Sequence, residues 1–379
     1  MHNWNLSESF TFAQVILNEL SLTNFRSYGQ AHLTFEDRVV CFVGKNGSGK
    51  TNLLDGIYYL AYCKSYFNPA DHQVIRHDEP FLALHGKFDL DGEAVLVSCG
   101  LKRGQRKVFK KNDKEYGRLA DHIGVISVVM ISPTDQFLIT EGSEDRRRFV
   151  DSVISLNDKN YLEALMTYNR LMVQRNALLK QMGENRHFDP TVLEILDMQL
   201  DLPGNYIFQS RQAFLADFEK VFERLYQEIS NTDEKPEIRY ESSLMGTSME
   251  QLLLQNQSKD FNAWTTTMGV HKDDFEFVLN GFPLKKYASQ GQQKTYLLAL
   301  KLAQFYWLKE TKDVPPILLL DDIFEKLDQS RVEHLFKLVS SKDFGQVFIS
   351  DTDETRIKQA FAKVNINPQF FHIPTDTEV

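Results

Sequence analysis

Residues 39–51 read VVCFVGKNGSGKT, an unbroken apolar run that leads into a full match to the phosphate-loop pattern GxxxxGK[ST]. Val39, Val40, Cys41, Phe42 and Val43 show no polar alternation. They predict a strand buried on both faces, as in a sheet covered by helices. Gly44, Lys45, Asn46, Gly47, Ser48, Gly49, Lys50 and Thr51 follow. In such a loop the glycines let backbone N–H groups converge on phosphate oxygens, the lysine neutralises β- and γ-phosphate charge, and the threonine hydroxyl can ligate Mg²⁺. An apolar-periodic stretch from Asn52 to Tyr62 predicts a helix whose N-terminus faces the same anion. Strand, glycine loop and helix in this order point to a nucleotide site in an α/β fold.

The chain has 379 residues, enough for two or three domains or for one domain with a large insertion. Its 42% hydrophobic and 25% charged residues describe a folded globular protein and exclude global disorder. No apolar run reaches the roughly 18 residues of a membrane span. Residues 1–12 lack the basic-then-apolar pattern of a secretion signal. Cys41, Cys63 and Cys99 form no CxxC, against a disulfide framework or a cysteine-rich zinc site. A soluble protein of the reducing cytoplasm is expected.

Along the chain, strand-like text gives way to helix and then returns. Val15 to Leu22, Phe81 to Phe88, Ala94 to Leu101 and Val108-Phe109 read as strands, with a turn at Asn112-Asp113. From about Asp145 the pattern turns helical. Tyr161, Leu165, Tyr168, Met172, Arg175, Leu179 and Met182 recur at heptad-like spacing with one polar interruption. A loop at 183–189 precedes a second helix capped by Asp189-Pro190. That helix is expected to break at Pro203-Gly204 and to resume through Phe214, Phe218 and Phe222. Ile317–Leu320 and Val347–Ile349 are further buried strands. The simplest organisation is a discontinuous α/β head, residues 15–135 and 255–379, interrupted by a helical insertion at 136–254 and preceded by a tail, 1–14.

Two further segments complete a candidate site. Leu318-Leu319-Leu320 ends in Asp321 and Asp322; the first suits Mg²⁺, the second the attacking water. Ser289-Gln290-Gly291-Gln292 opens a helix expected over Gln293–Lys309, another helix start suited to an anion.

Phosphate loop, SxGQ helix start and paired acids, in this order, resemble the ABC-type ATPase head. The resemblance implies two heads closing around ATP and Mg²⁺, with Lys50 and Thr51 acting in cis and Ser289, Gly291 and Gln292 in trans. It also places Glu325-Lys326-Leu327-Asp328 as a D-loop at the dimer interface. Asn24-Phe25-Arg26-Ser27-Tyr28 resembles the start of the DNA-associated SMC and RecF group. Asp145–Asp151, Gln174–Lys180, Gly269–Asp274 and Tyr287–Thr295 resemble the RecF family of bacterial replication and recombinational repair proteins. That likeness runs from about Val15 to near the end. It implies ATP-driven dimerisation on duplex, gapped or junction DNA, release on hydrolysis, and RecA loading with a RecR-like partner. Transporter ATPases place Glu where Asp322 stands, so slow turnover is expected. They also carry a switch histidine where Ser350-Asp351 stands. Residues 1–12 are an extension or an early start relative to the family.

The net charge of -9 excludes an indiscriminate nucleic-acid coat. Residues 100–120, however, hold eight cations against two acids. Lys102, Arg103, Arg106, Lys107, Lys110 and Lys111 are the candidates for salt-dependent phosphate contact. Arg146-Arg147-Arg148 suits pairing with acids such as Asp151 or Glu144 as well as DNA. His271 has no evident catalytic partner, and Lys64-Ser65-Tyr66 could place a cation near nucleotide or DNA. A transporter ATPase subunit and a non-catalytic nucleotide-binding scaffold are the competing readings.

Overall fold

The apolar run Val39–Val43 is a strand with every residue buried, and so are Ile317–Asp321, Val347–Asp351 and Val128–Ile131. With Gln369–His372 they form a five-stranded sheet ordered Gln369–His372, Val39–Val43, Val347–Asp351, Ile317–Asp321, Val128–Ile131. All neighbours run parallel. Phe42 and Phe348 stack at 6.0 Å between centroids, and Phe35 meets Phe348 edge-on at 4.9 Å. Each such buried side chain contributes about 1.5–3 kcal/mol. The register pairs Val43 with Asp351 and Asp321 with Ser350, so the carboxyl ends of three strands share one edge.

This computed structural model describes residues 14–67, 70–187, 189–323, 329–341 and 343–375. Residues 1–13 of the expected tail and the Glu325–Asp328 D-loop lie outside the described residues. The chain divides into two compact units, Met1–Ser132 with Phe305–Val379, and Pro133–Gln304.

The first unit also holds a six-stranded antiparallel sheet, ordered Tyr28–Thr34, Val15–Phe25, Phe81–Leu90, Glu93–Lys102, Val108–Lys111, Lys114–Glu115. Alternation gives it two faces: Leu82, Leu84, Val97, Cys99 and Phe109 are buried while His85 and Lys102 are exposed. Asn112 and Asp113 form the expected turn, both at positive φ (48° and 64°), which short polar side chains tolerate without glycine.

The second unit contains the helices Ser143–Asn157, Lys159–Asn185, Pro190–Ser230 and Met249–Ala263, and a sheet ordered Phe282–Pro283, Asp274–Leu279, Pro236–Glu241. The long helix does not break at Pro203-Gly204; it is continuous over 41 residues. Tertiary contacts compensate the hydrogen bond that Pro203 removes. A Cβ on Gly204 would lie 2.7 Å from Met249 Cγ, so glycine is what lets the next helix dock. Asn205 and Asp201 side chains accept from the Met249 and Glu250 N–H groups at 2.9 Å each. The expected loop at 183–189 shortens, because the preceding helix runs to Asn185. Asp189 caps as anticipated, accepting from Thr191 N–H at 3.0 Å.

The polar interruption of the helical seam is explained by its partners. Arg175 is fully buried, with Nε 2.6 Å from Asp197 and Nη1 2.7 Å from Asp260. The expected insertion boundary after residue 254 falls inside the helix Met249–Ala263. The paired strands Pro236–Glu241 and Asp274–Leu279 straddle it within the second unit.

Candidate functional site

The phosphate loop follows the buried strand Val39–Val43 and passes into the helix Lys50–Tyr62. Gly47 and Gly49 sit at φ 82° and 103°, left-handed conformations that disfavour other residues. A Cβ on Gly49 would lie 2.9 Å from Tyr28 Oη, and one on Gly44 2.5 Å from the Ile373 carbonyl. Gly49 caps the helix without a side chain, and no acid stands in the first turn. The first-turn N–H groups therefore face an anion without a competing carboxylate. Ser48 Oγ and Tyr28 Oη are buried with no hydrogen-bond partner among the described residues. Glycine turns, an uncapped helix start and orphan hydroxyls fit a phosphate ligand.

Lys50 is buried and folds back on the loop, its Nζ donating to the Gly44 and Lys45 carbonyls at 3.0 and 3.1 Å. Thr51 Oγ1 donates to Asp321 Oδ1 at 2.8 Å. Ser350 Oγ donates to the same oxygen at 2.8 Å and accepts from Asp322 N–H at 3.0 Å. Ser132 Oγ reaches Asp321 Oδ2 at 3.4 Å. Burial pushes the Asp321 carboxyl above the usual range, and the hydroxyls of Ser350, Thr51 and Ser132 together with Lys50 counter it. Asp322 adopts a left-handed φ of 44°, which turns the chain at the strand end. One hydroxyl, one carboxylate and substrate phosphates make a set of the kind Mg²⁺ takes.

Of the two residues at the switch position, Ser350 enters this cluster. Asp351 is committed elsewhere, held by Arg356 Nη2 at 2.6 and 2.7 Å. Arg26, in the turn before the phosphate loop, pairs with buried Asp55 at 2.8 Å and with Ser65 at 2.6 Å. Ser65 and Tyr66 thus serve that network, with Tyr66 N–H donating to Asp55 at 2.8 Å. Ser132 was missed in the sequence; its signal is its place directly after a wholly buried strand.

The SxGQ segment lies in the second unit, and the helix that contains it runs Gln290–Lys312, longer than expected at both ends. Ser289 and Gln292 form a reciprocal capping box: Ser289 N–H donates to Gln292 Oε1 at 2.8 Å, and Gln292 N–H to Ser289 Oγ at 3.2 Å. Gln292 Nε2 also donates to Glu234 at 2.5 Å, and Gln293 Oε1 accepts from Gln136 Nε2 at 2.9 Å. Ser289 and Gln290 remain exposed beside half-buried Gly291.

The basic candidates separate into two groups. Lys107 is spent: its Nζ pairs with Asp71 at 2.7 Å and bonds the Cys63 carbonyl. Arg103 holds the Glu79, Arg76 and His72 carbonyls at 2.8, 3.2 and 3.3 Å, and Arg106 the Gly117 carbonyl at 3.1 Å. Lys102, Lys110 and Lys111 side chains have no hydrogen-bond or ion-pair partner among the described residues. Arg146 and Arg147 of the arginine triplet are committed to contacts within the fold, while Arg148 is exposed and pairs only with acids of its own helix. Arg146 pairs with Asp274 at 2.8 Å, Arg147 donates to the Asp273 carbonyl at 2.5 Å, and Arg148 reaches Glu144 and Asp145. Asp151, expected near this triplet, instead binds Arg211 at 2.9 Å. His271 lies between Tyr168 Oη at 2.8 Å and the Thr266 carbonyl at 3.2 Å, a structural position.

No helix of the described residues is long and apolar enough to cross a membrane. The family model described as RecF/RecN/SMC N terminal domain matches residues 16–370. The DNA replication and repair protein RecF of Flavobacterium johnsoniae is 46% identical over 94% of this chain and 99% of its own length. Its counterpart from Phocaeicola vulgatus is also 46% identical, over 95% of this chain and 96% of its own. The solved structure of the recombination mediator protein RecF with ATP, from the RecFOR pathway, superposes with a TM-score of 0.88 at 29% identity, covering 97% and 98% of the two chains. The Smc head domain of Pyrococcus furiosus, at 15% identity and a TM-score of 0.55, shares the fold. A phosphate loop completed by Thr51, Asp321 and Ser350, carried on this fold and in this sequence, belongs to the RecF family of DNA replication and repair proteins.

Proposed function

We propose that this chain is a slow, DNA-stimulated ATPase that closes as a homodimer on duplex or gapped DNA when ATP binds and releases it on hydrolysis. The observation that carries the reading is the direct link from the phosphate loop to the acidic strand end, Thr51 to Asp321 to Ser350 to the Asp322 N–H. Gly44 to Gly49 wrap the phosphates with backbone N–H groups. Lys50 exchanges its two carbonyl partners for phosphate oxygens. Thr51 and Asp321 would hold Mg²⁺, which when bound neutralises charge on the β- and γ-phosphates. Asp322 orients or deprotonates the attacking water. Its side chain is one methylene shorter than glutamate, so turnover stays below about 10 per second. Ser289, Gly291 and Gln292 act on the nucleotide of the second copy. Lys102, Lys110 and Lys111 contribute to the DNA surface.

The RecFOR setting of the solved relative supports a RecR-like partner and RecA loading at gaps as the outcome. Three buried cysteines without disulfides suit a cytoplasmic site of action. The test is Lys50→Arg, which keeps the charge but not the fit of the ammonium between the loop carbonyls. Sedimentation should show ATP-dependent dimers for the parent chain and monomers for the variant, with unchanged folding by circular dichroism. Undiminished ATP-dependent dimerisation of the variant would refute the role given to Lys50.

A further inference from the structure

The long helix Pro190–Ser230 carries two seams, and only one is covered. Leu193, Asp197, Leu200, Ile207 and Arg211 face the interior, each at or below 2% exposure. On the opposite side Val192, Ile195, Gln199, Leu202 and Tyr206 recur at steps of 3, 4, 3 and 4. That spacing aligns them as one heptad stripe. Val192, Ile195 and the adjoining Met198 are exposed, and Leu202 is 80% exposed, the highest value for a large apolar side chain among the described residues. Exposed apolar stripes of this kind mark interaction surfaces.

Charge is missing from the stripe. Between residues 191 and 213 the charged side chains are Glu194, Asp197, Asp201 and Arg211. Asp197 and Arg211 are consumed in buried ion pairs. Asp201 accepts from the Glu250 N–H of the neighbouring helix, and Glu194 stands in the same row, seven residues before it. Partners of different sequence are usually selected by opposite charges flanking a heptad seam. Here the flanking positions hold Thr191, Leu196, Met198, Pro203 and Asn205, which neither select a charged partner nor repel a copy of themselves.

The stripe also reads alike from either end. About Gln199 there is a branched apolar residue three or four positions away and a further side chain, Val192 or Tyr206, at seven. An antiparallel copy crossing at Gln199 sets Ile195 against Leu202 and Val192 against Tyr206, and a two-fold axis repeats both contacts. Gln199 then meets itself, and a carboxamide both donates and accepts.

We infer that this face is a second self-association surface, on which two copies of the chain pair antiparallel through Val192, Ile195, Gln199, Leu202 and Tyr206. The contact goes beyond the ATP-driven closure proposed above and needs no nucleotide. It is weak alone. So few side chains do not fill the roughly 800 Å² a side of a stable complex, which puts the dissociation constant above about 1 µM. Dilute chains therefore stay apart, and the contact forms where copies are held close together, as on one DNA molecule.

The cysteines of the chain, Cys41, Cys63 and Cys99, are all buried, so an added surface thiol reports alone. Gln199→Cys should form a disulfide-linked dimer under mild oxidant without nucleotide, because the axis brings residue 199 onto itself. Asn169→Cys, exposed on the preceding helix, should not. The full chain, Leu202→Glu, Leu202→Met and Lys50→Arg would be sedimented without nucleotide over a series reaching about 100 µM, well above the expected constant. Leu202→Glu should weaken self-association about tenfold or more, with its fold unchanged by circular dichroism. Leu202→Met and Lys50→Arg should associate like the parent. A parent chain that stays monomeric throughout, or a Gln199→Cys that links no faster than Asn169→Cys, would overturn the pairing and leave the ATP-driven dimer untouched. Loss of association in Lys50→Arg would also overturn it, by assigning the contact to the nucleotide site.

Discussion

Replacing Arg175 by alanine removes the central cation of the helical unit. Arg175, Asp197, Asp260 and Thr266 are all at or below 2% exposure. The guanidinium spans Asp197 at 2.6 and 3.3 Å, Asp260 at 2.7 Å and the Thr266 hydroxyl at 2.8 Å. Truncation strands two carboxylates in the interior, and breaking a buried pair from one side costs about 3–5 kcal/mol. Asp260 keeps hydrogen bonds from Thr267 N–H at 2.9 Å and the Thr267 hydroxyl at 2.6 Å, which places the cost near the lower figure, about 3 kcal/mol. With urea m-values of about 1–3 kcal/mol/M, the midpoint should fall by about 1–3 M. Acidity gives a second readout. An unpaired buried carboxylate is relieved by taking up a proton, so the variant's folded state binds more protons than its unfolded state. Stability of the variant should therefore rise as pH falls from 8 toward 5. Urea melts at several pH values measure both effects. A loss under about 1 kcal/mol, or a variant that weakens on acidification over that range, would refute the assignment of Arg175 as the charge that holds these helices together.

Ser350→Ala deletes the donor to Asp321 and the acceptor of the Asp322 N–H. If the half-buried Ser350 link sets the Asp322 backbone, losing about 1.4 kcal/mol of positioning should lower steady-state ATP turnover about tenfold while ATP affinity by calorimetry persists. Unaltered turnover would contradict the role given to the strand end. Burial pushes the His271 imidazole down to about 4, so the folded state holds it neutral. The stability it supports is complete above the unfolded value near 6.5 and is lost as pH falls toward 4, up to about 3 kcal/mol. His271→Gln should flatten that limb of the pH–stability profile; an unchanged limb would exclude His271 as its source.

The phosphate-loop part of the candidate site is legible because phosphate chemistry demands particular residues at fixed spacing within one short segment. Gly47, Gly49, Lys50 and Thr51 announce themselves. Asp321 is marked by a wholly apolar strand that ends in charge. Ser350 is marked only as one of two residues at the switch position, and Ser132 is not marked at all, since a serine at the end of a buried strand has no distinctive spacing. Their role comes from the pairing order of parallel strands distant in sequence. The same limit explains Lys107, which reads as a free cation until Asp71, 36 residues earlier, is brought to it. Pro203 reads as a helix end because local propensity opposes it. The packing of Met249 against Gly204 overrides that preference, and only the tertiary structure contains it. The boundary expected after residue 254 failed similarly, because Pro236–Glu241 finds its partner strand beyond it.

The central claim is conditional DNA binding by an acidic chain that ATP closes into a dimer. Its most direct measurement is equilibrium binding to duplex, gapped and single-stranded DNA, with and without ATP, across a salt series. Lys102, Lys110 and Lys111 from each of two copies would displace counterions together. The account predicts tight binding only with ATP and a log–log salt slope on duplex of about -5. Binding that is absent, indifferent to ATP or insensitive to salt would contradict it.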